Sequence, residues 1–220
     1  MKSACDIMMN NAGATSSARL RGEMRLRARR LSWAGCRAGL IGLLILFCLP
    51  SFAAGQEFAK ANPTMVEAAF LRNFARYVTW PAHAFAADRS PWNICILGSD
   101  PFGEVLEKTF TGRTEQGRTF EIFRADTLAE LPPCQIVFVA YKDAARRRAA
   151  LTRLKNRPVL TVGDASGFLQ EGGIIRFQVG DYVEMSVNLD QARSVSLKIQ
   201  TKMLEVTREV VENGVGQRRR

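Results

Sequence analysis

The chain has 220 residues, of which 47% are hydrophobic and 24% are charged, and this composition excludes a fully disordered protein. The formal net charge of +10 is concentrated at the two ends, because residues 1–53 carry eight Lys or Arg against two Asp or Glu, and the last three residues are all Arg. The part of the chain between them is close to neutral, which argues against a basic nucleic-acid-binding domain.

The N-terminal segment, residues 1–53, has the pattern of a secretory signal peptide. Seven arginines between positions 19 and 37 precede twelve uncharged apolar residues at 38–49, and the small-residue site Ser51-Phe52-Ala53 follows. A positive region, a short apolar region and a small-residue cleavage site define such a peptide, whereas a membrane-spanning helix needs roughly 20 apolar residues. We therefore expect export and cleavage after Ala53, with a permanent N-terminal anchor as the alternative.

Export would leave two of the five cysteines, Cys95 and Cys134, in the mature chain. Two thiols of a small exported domain are often joined by a disulfide bond. Closing the loop between these positions would stabilise the fold by roughly 4 kcal/mol on loop-entropy grounds. Two buried free thiols are the alternative, because cysteine is also a small core residue.

The domain predicted for residues 54–212 begins with an amphipathic helix. Thr64 and Glu67 form a capping box, and apolar residues recur at helical spacing over 64–79 until Pro81 ends the helix. Apolar runs, capping residues and turn residues then predict the next elements. These are a buried strand over 92–98, a helix from Ser99 to about Phe110, a strand over 118–124 and a central strand over 134–140.

The second half of the domain continues the alternation and ends in a hairpin and a helix. Asp143 is predicted to cap a helix to about Asn156, and three strands are predicted over 158–164, 174–179 and 182–188. Asp190 is predicted to cap a last long helix, and residues 213–220 are predicted to form a basic disordered tail. The order of elements predicts an α/β fold, in which a mixed central β-sheet of about six strands carries helices on both faces.

Patterns that would indicate catalysis or metal binding are missing from the sequence. His83 is the single histidine, so nucleophile–histidine pairings lack support. No Cys/His cluster has the spacing of a zinc site, and the carboxylates are scattered. We therefore expect no catalytic residues, no metal and no cofactor.

The segment GSDPFG (98–103) is a candidate anion-binding turn. It joins a predicted strand to a predicted helix, and backbone N–H groups at such a helix start attract anions. Ser99, Asp100 and Gly103 are the candidate residues, although Glu104 and Val105 stand where a phosphate-binding loop has Lys and Ser or Thr. The alternative is a turn and helix cap without a ligand.

The region 165–188 combines a glycine-rich loop with an unusually apolar hairpin. Strand alternation would bury one set of these side chains and expose part of the other. Exposed apolar residues that are contiguous mark interaction surfaces. The alternative is that all of these side chains pack under the final helix.

Three segments in this order resemble the YfiR family of periplasmic proteins over roughly residues 64–212. They are the helix with its exit EAAFLRNFARYVTWP (67–81), the strand and turn WNICILGSDPFG (92–103), and the late block PVLTVGDASGFLQEGGIIRFQV (158–179) with SVNLDQA (186–192). Several independent motifs in the same order make the resemblance specific.

The resemblance implies a non-enzymatic regulator in the periplasm. Characterised members of the family repress a membrane diguanylate cyclase by binding its periplasmic sensor domain, and an outer-membrane lipoprotein with an OmpA-like domain can sequester them. The implied fold is an α/β sandwich with a mixed sheet, often as a homodimer, and Cys95 and Cys134 match a family disulfide. A second cysteine pair that flanks the G-F-x-x-x-G-G loop in some relatives is missing here.

Partner binding is expected from the late block, at Phe168, Ile175, Arg176, Phe177 and Glu184. The residues Asn73, Phe74, Tyr77, Trp80 and Pro81 at the first helix exit are assigned to packing instead. A second function stays open, namely a periplasmic small-ligand-binding module that serves another membrane sensor or receptor.

Overall fold

The computed structural model describes residues 62–218, which belong to a structural unit spanning residues 57–220. The predicted signal peptide lies outside the described residues. The helices are α1 (Pro63–Tyr77), α2 (Val105–Phe110), α3 (Ala144–Leu154), α4 (Leu189–Ser194) and α5 (Thr201–Leu204). The strands are β1 (Val78–Thr79), β2 (Trp92–Leu97), β3 (Thr114–Glu115), β4 (Arg118–Ala125), β5 (Ile136–Val139), β6 (Leu160–Gly163), β7 (Ile175–Val179), β8 (Val183–Asn188), β9 (Lys198–Ile199), β10 (Glu209–Glu212) and β11 (Val215–Arg218).

The described residues build one large mixed sheet, in the order β11-β10-β8-β7-β6-β5-β2-β4-β3. The five central strands from β4 to β7 all run parallel, whereas β8 and β3 pair antiparallel with their neighbours β7 and β4. The predicted fold class is confirmed, but the sheet has nine strands rather than about six. The short strands β1 and β9 form a separate pair.

The first helix begins differently from the predicted capping box. The side chain of Asn62 accepts a hydrogen bond from the Thr64 backbone N–H at 3.0 Å, and Pro63 is the first helical residue. Thr64 therefore lies inside the helix, and Glu67 lies on its buried face. The capping-box prediction is wrong because the asparagine that precedes the proline supplies the cap.

The predicted last long helix is also wrong. The observed helix α4 ends at Ser194, since Ser196 adopts a left-handed conformation with φ of 62°. The segment 209–212 is then a strand that pairs parallel with β8. A stripe of valines fits a strand as well as a helix, and pairing with a distant strand decides between them here.

The predicted disordered tail is ordered as far as the description extends, to Arg218. Strands β10 and β11 form a hairpin around Asn213 and Gly214, which both have positive φ. An Asn-Gly pair is the strongest short hairpin signal in a sequence. The Asp190 carboxylate accepts hydrogen bonds from both of their backbone N–H groups, at 3.0 and 2.8 Å. The prediction of Asp190 as a helix cap is wrong, because the side chain of Asn188 caps α4 by accepting a hydrogen bond from the Gln191 N–H.

Two apolar clusters cover the two faces of the sheet. The larger one packs α1, α2 and α4 against the sheet, with Leu71, Leu106 and Ala192 among its members. The smaller one lies under α3 and contains the disulfide between Cys95 and Cys134, whose Cα atoms are 6.1 Å apart. The disulfide prediction is confirmed and the free-thiol alternative is wrong. None of the helices within residues 62–218 is long and apolar enough to cross a membrane.

Candidate functional site

Phe168, predicted to contact a partner, is a buried plug of the loop that follows β6. A Cβ atom added to Gly173 would lie 2.2 Å from its ring, and one added to Gly163 would lie 2.5 Å from it. The Phe168 carbonyl also accepts a hydrogen bond from the Gly173 N–H at 2.9 Å. The glycines of this loop therefore make room for one aromatic ring. Because Phe168 is fully buried, its prediction as a partner-binding residue is wrong.

Ile175 and Phe177, also predicted to contact a partner, point into the core and are fully buried. The Phe177 ring packs against Phe70 and Phe74 of α1, with centroids 5.7 and 6.0 Å away. Alternate residues of a strand face one side of the sheet, and α1 covers the side that holds these two. The prediction of partner contacts by Ile175 and Phe177 is therefore wrong.

Arg176 and Glu184, the remaining two predicted partner residues, are partly exposed. The Arg176 guanidinium donates to the Ser166 carbonyl at 2.6 Å, while its Nε is buried without a hydrogen-bond partner. Glu184 forms an ion pair with Arg208, and the strand register pairs Glu184 with Gln178 of β7. Partner binding by Arg176 and Glu184 stays a prediction.

The tip of the β7–β8 hairpin exposes apolar side chains that the predicted set left out. Tyr182 is 82% exposed and Val179 is 55% exposed. Tyrosine is enriched at protein interfaces because it combines a large apolar ring with a hydrogen-bonding hydroxyl. Glu184 lies in β8, two residues after Tyr182, which precedes the strand. The hairpin tip is therefore the better candidate for a docking surface in this region.

The candidate anion-binding turn is closed by hydrogen bonds within the chain. One Asp100 oxygen accepts from the Phe102 N–H at 2.7 Å, and the other accepts from the Arg124 Nε at 2.7 Å. Arg124 also donates to the Gly103 carbonyl and to Glu107, and it holds the pKa of Glu107 below its usual range. Ser99 makes no such bond within residues 62–218. These contacts favour a turn without a ligand, in which Glu104 is the residue that precedes α2. Anion binding at Ser99, Asp100 and Gly103 stays a prediction.

Residues suited to covalent or metal chemistry are dispersed in the described part of the chain. Within residues 62–218 no group of three or more His, Cys, Asp and Glu side chains could hold a metal ion. His83 is exposed in a short 3₁₀ helix, Ala82–Ala84. The geometry of this part of the chain points to binding surfaces as the candidate sites.

A comparison with protein families decides which family these features represent. A family model described as YfiR/HmsC-like matches residues 64–208. The chain belongs to the YfiR/HmsC-like family. The match confirms the resemblance drawn from the three motifs, and no curated protein matches the chain. The family is one of regulators in cyclic-di-GMP signalling rather than of catalysts.

The motifs that carry the YfiR/HmsC-like resemblance hold the fold together. Trp80 is buried, donates from its indole nitrogen to the Gln135 carbonyl at 3.3 Å, and packs edge-on against Trp92 with centroids 5.0 Å apart. Phe102 is buried against Phe138 at 4.9 Å in the same edge-on geometry. These aromatic contacts fix the exit of α1 and the turn after β2 to the sheet.

Proposed function

We propose that this protein is a periplasmic, non-enzymatic regulator that binds the periplasmic sensor domain of a membrane diguanylate cyclase and lowers its cyclic-di-GMP output. The observation that carries the proposal is the YfiR/HmsC-like match over residues 64–208, which spans nearly the whole described domain. The signal-peptide pattern of residues 1–53 and the Cys95–Cys134 disulfide support an oxidising compartment.

Repression of this kind needs binding and no bond chemistry. The regulator must bind the inactive arrangement of the cyclase more tightly than the active one, because a ligand shifts an equilibrium only by its differential affinity. Moving the cyclase from nearly all active to nearly all inactive needs a preference of about 10⁴-fold. An exposed apolar docking surface with fixed flanking charges suits such discrimination.

The docking surface of the proposal is the hairpin tip, defined here as Val179–Val183 with the flanking Arg176 and Glu184. Its exposed tyrosine would supply the buried anchor of the complex, and the two charged residues would set the orientation. The same surface is where an OmpA-like outer-membrane lipoprotein would compete when it sequesters the regulator. Homodimer formation also belongs to the proposal.

The test is a pull-down of the protein with the periplasmic sensor domain of the diguanylate cyclase encoded nearest to it, with cyclic-di-GMP measured in cells that carry both. Tyr182→Asp is expected to abolish capture and to raise cyclic-di-GMP. Met65→Asp is the matched control, because Met65 is also an exposed apolar residue and lies on α1. If the Tyr182→Asp variant still captures the sensor domain, the docking surface lies elsewhere on the protein. If the unaltered protein does not capture the sensor domain, the proposed function is refuted.

A second candidate function is a small-ligand-binding module that serves another membrane sensor or receptor. The observation that favours it is an open crevice at one end of the parallel strands. Capture of a receptor domain instead of a cyclase domain would select this function.

A further inference from the structure

The parallel part of the sheet contains a point where the chain reverses its direction of winding. The five parallel strands lie side by side in the order β4-β2-β5-β6-β7. If they are renumbered 1 to 5 in chain order, so that β2 is strand 1 and β5 is strand 3, this spatial order is 2-1-3-4-5. The connection from β2 leads through α2, which packs on the same face as α1, whereas the connection from β5 leads through α3 on the other face. The loops after β2 and β5 therefore diverge. In such sheets ligands bind in the crevice outside the carboxyl ends of these two strands.

A crevice is present at this point. Its volume is about 510 Å³, and a neighbouring one of about 390 Å³ shares the Tyr141 wall. Both volumes lie within the range of small-molecule sites. The charged residues that line the larger crevice are Asp100, Lys142, Arg147 and Asp164, and Ser99, Tyr141 and Ser166 line it as well.

One wall of the crevice is fixed by a close contact between its two diverging loops. A Cβ atom on Gly98 would lie 2.7 Å from the Tyr141 ring, and Gly98 has a φ of 97° that favours glycine. The Tyr141 hydroxyl donates to the Asp126 carbonyl. The ring is thus held from both sides, and the crevice has at least one preformed wall.

Most charged groups near the crevice already have partners. Asp100 is paired with Arg124, and Arg147 is paired with Glu171 while also donating to the carbonyls of the loop after β5. Asp164 is different, because its exposed carboxylate makes no hydrogen bond or ion pair within residues 62–218. An anionic group is therefore left available on the crevice wall.

Glu67 of α1 is a second carboxyl, and it interacts electrostatically with Asp164. It is only 6% exposed, and its side chain makes no hydrogen bond within the described part of the chain. The charge of Asp164 raises the pKa of Glu67, and it also raises the pKa of Arg147. The Arg147 guanidinium already forms an ion pair with Glu171. Burial penalises the charged form of Glu67, and the charge of Asp164 adds to that penalty. A cation bound at Asp164 would offset the repulsion between the two carboxylates.

We propose that the crevice binds a small molecule that carries an ammonium group, and that Asp164, supported by Glu67, pairs with this group. A bare metal ion is disfavoured, because hard cations take six or more oxygen ligands and the described residues offer no group of three side-chain ligands. Lys142 lines the same crevice and has no ion pair within residues 62–218. It would add affinity for a ligand that also carries a carboxylate. Polyamines and amino acids share the required ammonium group.

The test is isothermal titration calorimetry of the purified protein at about pH 8, where Glu67 is ionised because burial raises its pKa only to about 7. The probes are putrescine, L-ornithine, which is putrescine with an added carboxylate, and 1,4-butanediol, which replaces both amines by hydroxyls. Putrescine or ornithine is expected to bind and butanediol is not. Asp164→Asn and Glu67→Gln are each expected to weaken binding by about tenfold or more.

The source of the ammonium group follows from the pattern of the two probes. If ornithine binds more tightly than putrescine, and Lys142→Met weakens only ornithine binding, the crevice is assigned to amino acids. If putrescine binds at least as tightly as ornithine, the crevice is assigned to polyamines. Asp88→Asn is the matched control, because Asp88 is an exposed aspartate that does not line the crevice. The inference would be overturned if neither putrescine nor ornithine gave binding heat, or if butanediol bound as tightly as the amines. It would also be overturned if Asp164→Asn bound the amines as tightly as the unaltered protein.

This inference deepens the small-ligand function and does not depend on cyclase binding. If the amines fail to bind while the cyclase sensor domain is still captured, the crevice proposal is refuted and the regulator function is supported. If the amines bind and no sensor domain is captured, the crevice proposal is supported and the regulator function is refuted.

Discussion

Replacing Glu67 by glutamine tests the buried carboxyl of α1 directly. Burial and, to a smaller extent, the charge of Asp164 together raise the pKa of Glu67 from 4.5 to about 7. The folded state therefore holds a proton over a pH range in which the unfolded chain has released it. Stability from this group is fully present below about pH 4.5, and it is lost as pH rises towards about 7. The variant Glu67→Gln removes this dependence because its amide does not titrate.

The size of the effect follows from the pKa difference between the folded and unfolded states. A shift of one pKa unit corresponds to about 1.4 kcal/mol, so a difference of about 2.5 units gives at most about 3.5 kcal/mol. We expect the free energies of unfolding of the two proteins to differ little at about pH 4.5. By about pH 8 the variant is expected to be the more stable, by up to about 3.5 kcal/mol.

Urea unfolding followed by tryptophan fluorescence measures these free energies at a series of pH values. Trp80 and Trp92 are buried and pack against each other, so their emission reports loss of the core. Asp88→Asn serves as the control, because an exposed aspartate should change stability little at any pH. A difference between Glu67→Gln and the unaltered protein that stays constant from about pH 4.5 to 8 would refute the reasoning.

Three further predictions concern the frame of the fold. Phe168→Ala is expected to lower the free energy of unfolding by about 3–5 kcal/mol, because it empties the slot between two glycines; a change near zero in chemical denaturation would show that the ring is not a plug. Reduction of the bond between Cys95 and Cys134 is expected to cost roughly 4 kcal/mol, and an unaltered melting temperature with reductant would contradict this. Asp190→Ala is expected to speed amide hydrogen exchange in the hairpin 209–218, and exchange as slow as before would argue against its two hydrogen bonds.

The central strands could be predicted from the sequence because their signals are local. The continuous apolar run that became β5 is buried along its whole length, and Asp143 caps α3 as predicted, accepting a hydrogen bond from Arg146 at 2.7 Å. The C-terminal part could not be predicted in the same way. Its strand β10 is defined by parallel pairing with β8, and no local pattern of valines reports such a partner.

The candidate sites could not be predicted from the sequence, because their positions depend on which helix covers which face of the sheet. Alternation in β7 predicts two sets of side chains, but only the position of α1 shows that Ile175 and Phe177 form the inner set. The crevice likewise depends on strand order, because β5 lies beside β2 rather than beyond β4. The sequence contains Asp164 and Glu67, yet only the fold lets these two carboxyls interact electrostatically.

The residues that identify the family and the residues that would choose a partner are different sets. Phe74, Trp80, Cys95 and Phe168 belong to the identifying motifs, and all four are buried. A buried side chain fixes the scaffold, and its replacement changes partner binding only by disturbing that scaffold. Exposed side chains such as Tyr182 can change without affecting the core. Exchanging the hairpin tip between two chains of this fold should therefore exchange their partners while leaving their unfolding free energies almost unchanged.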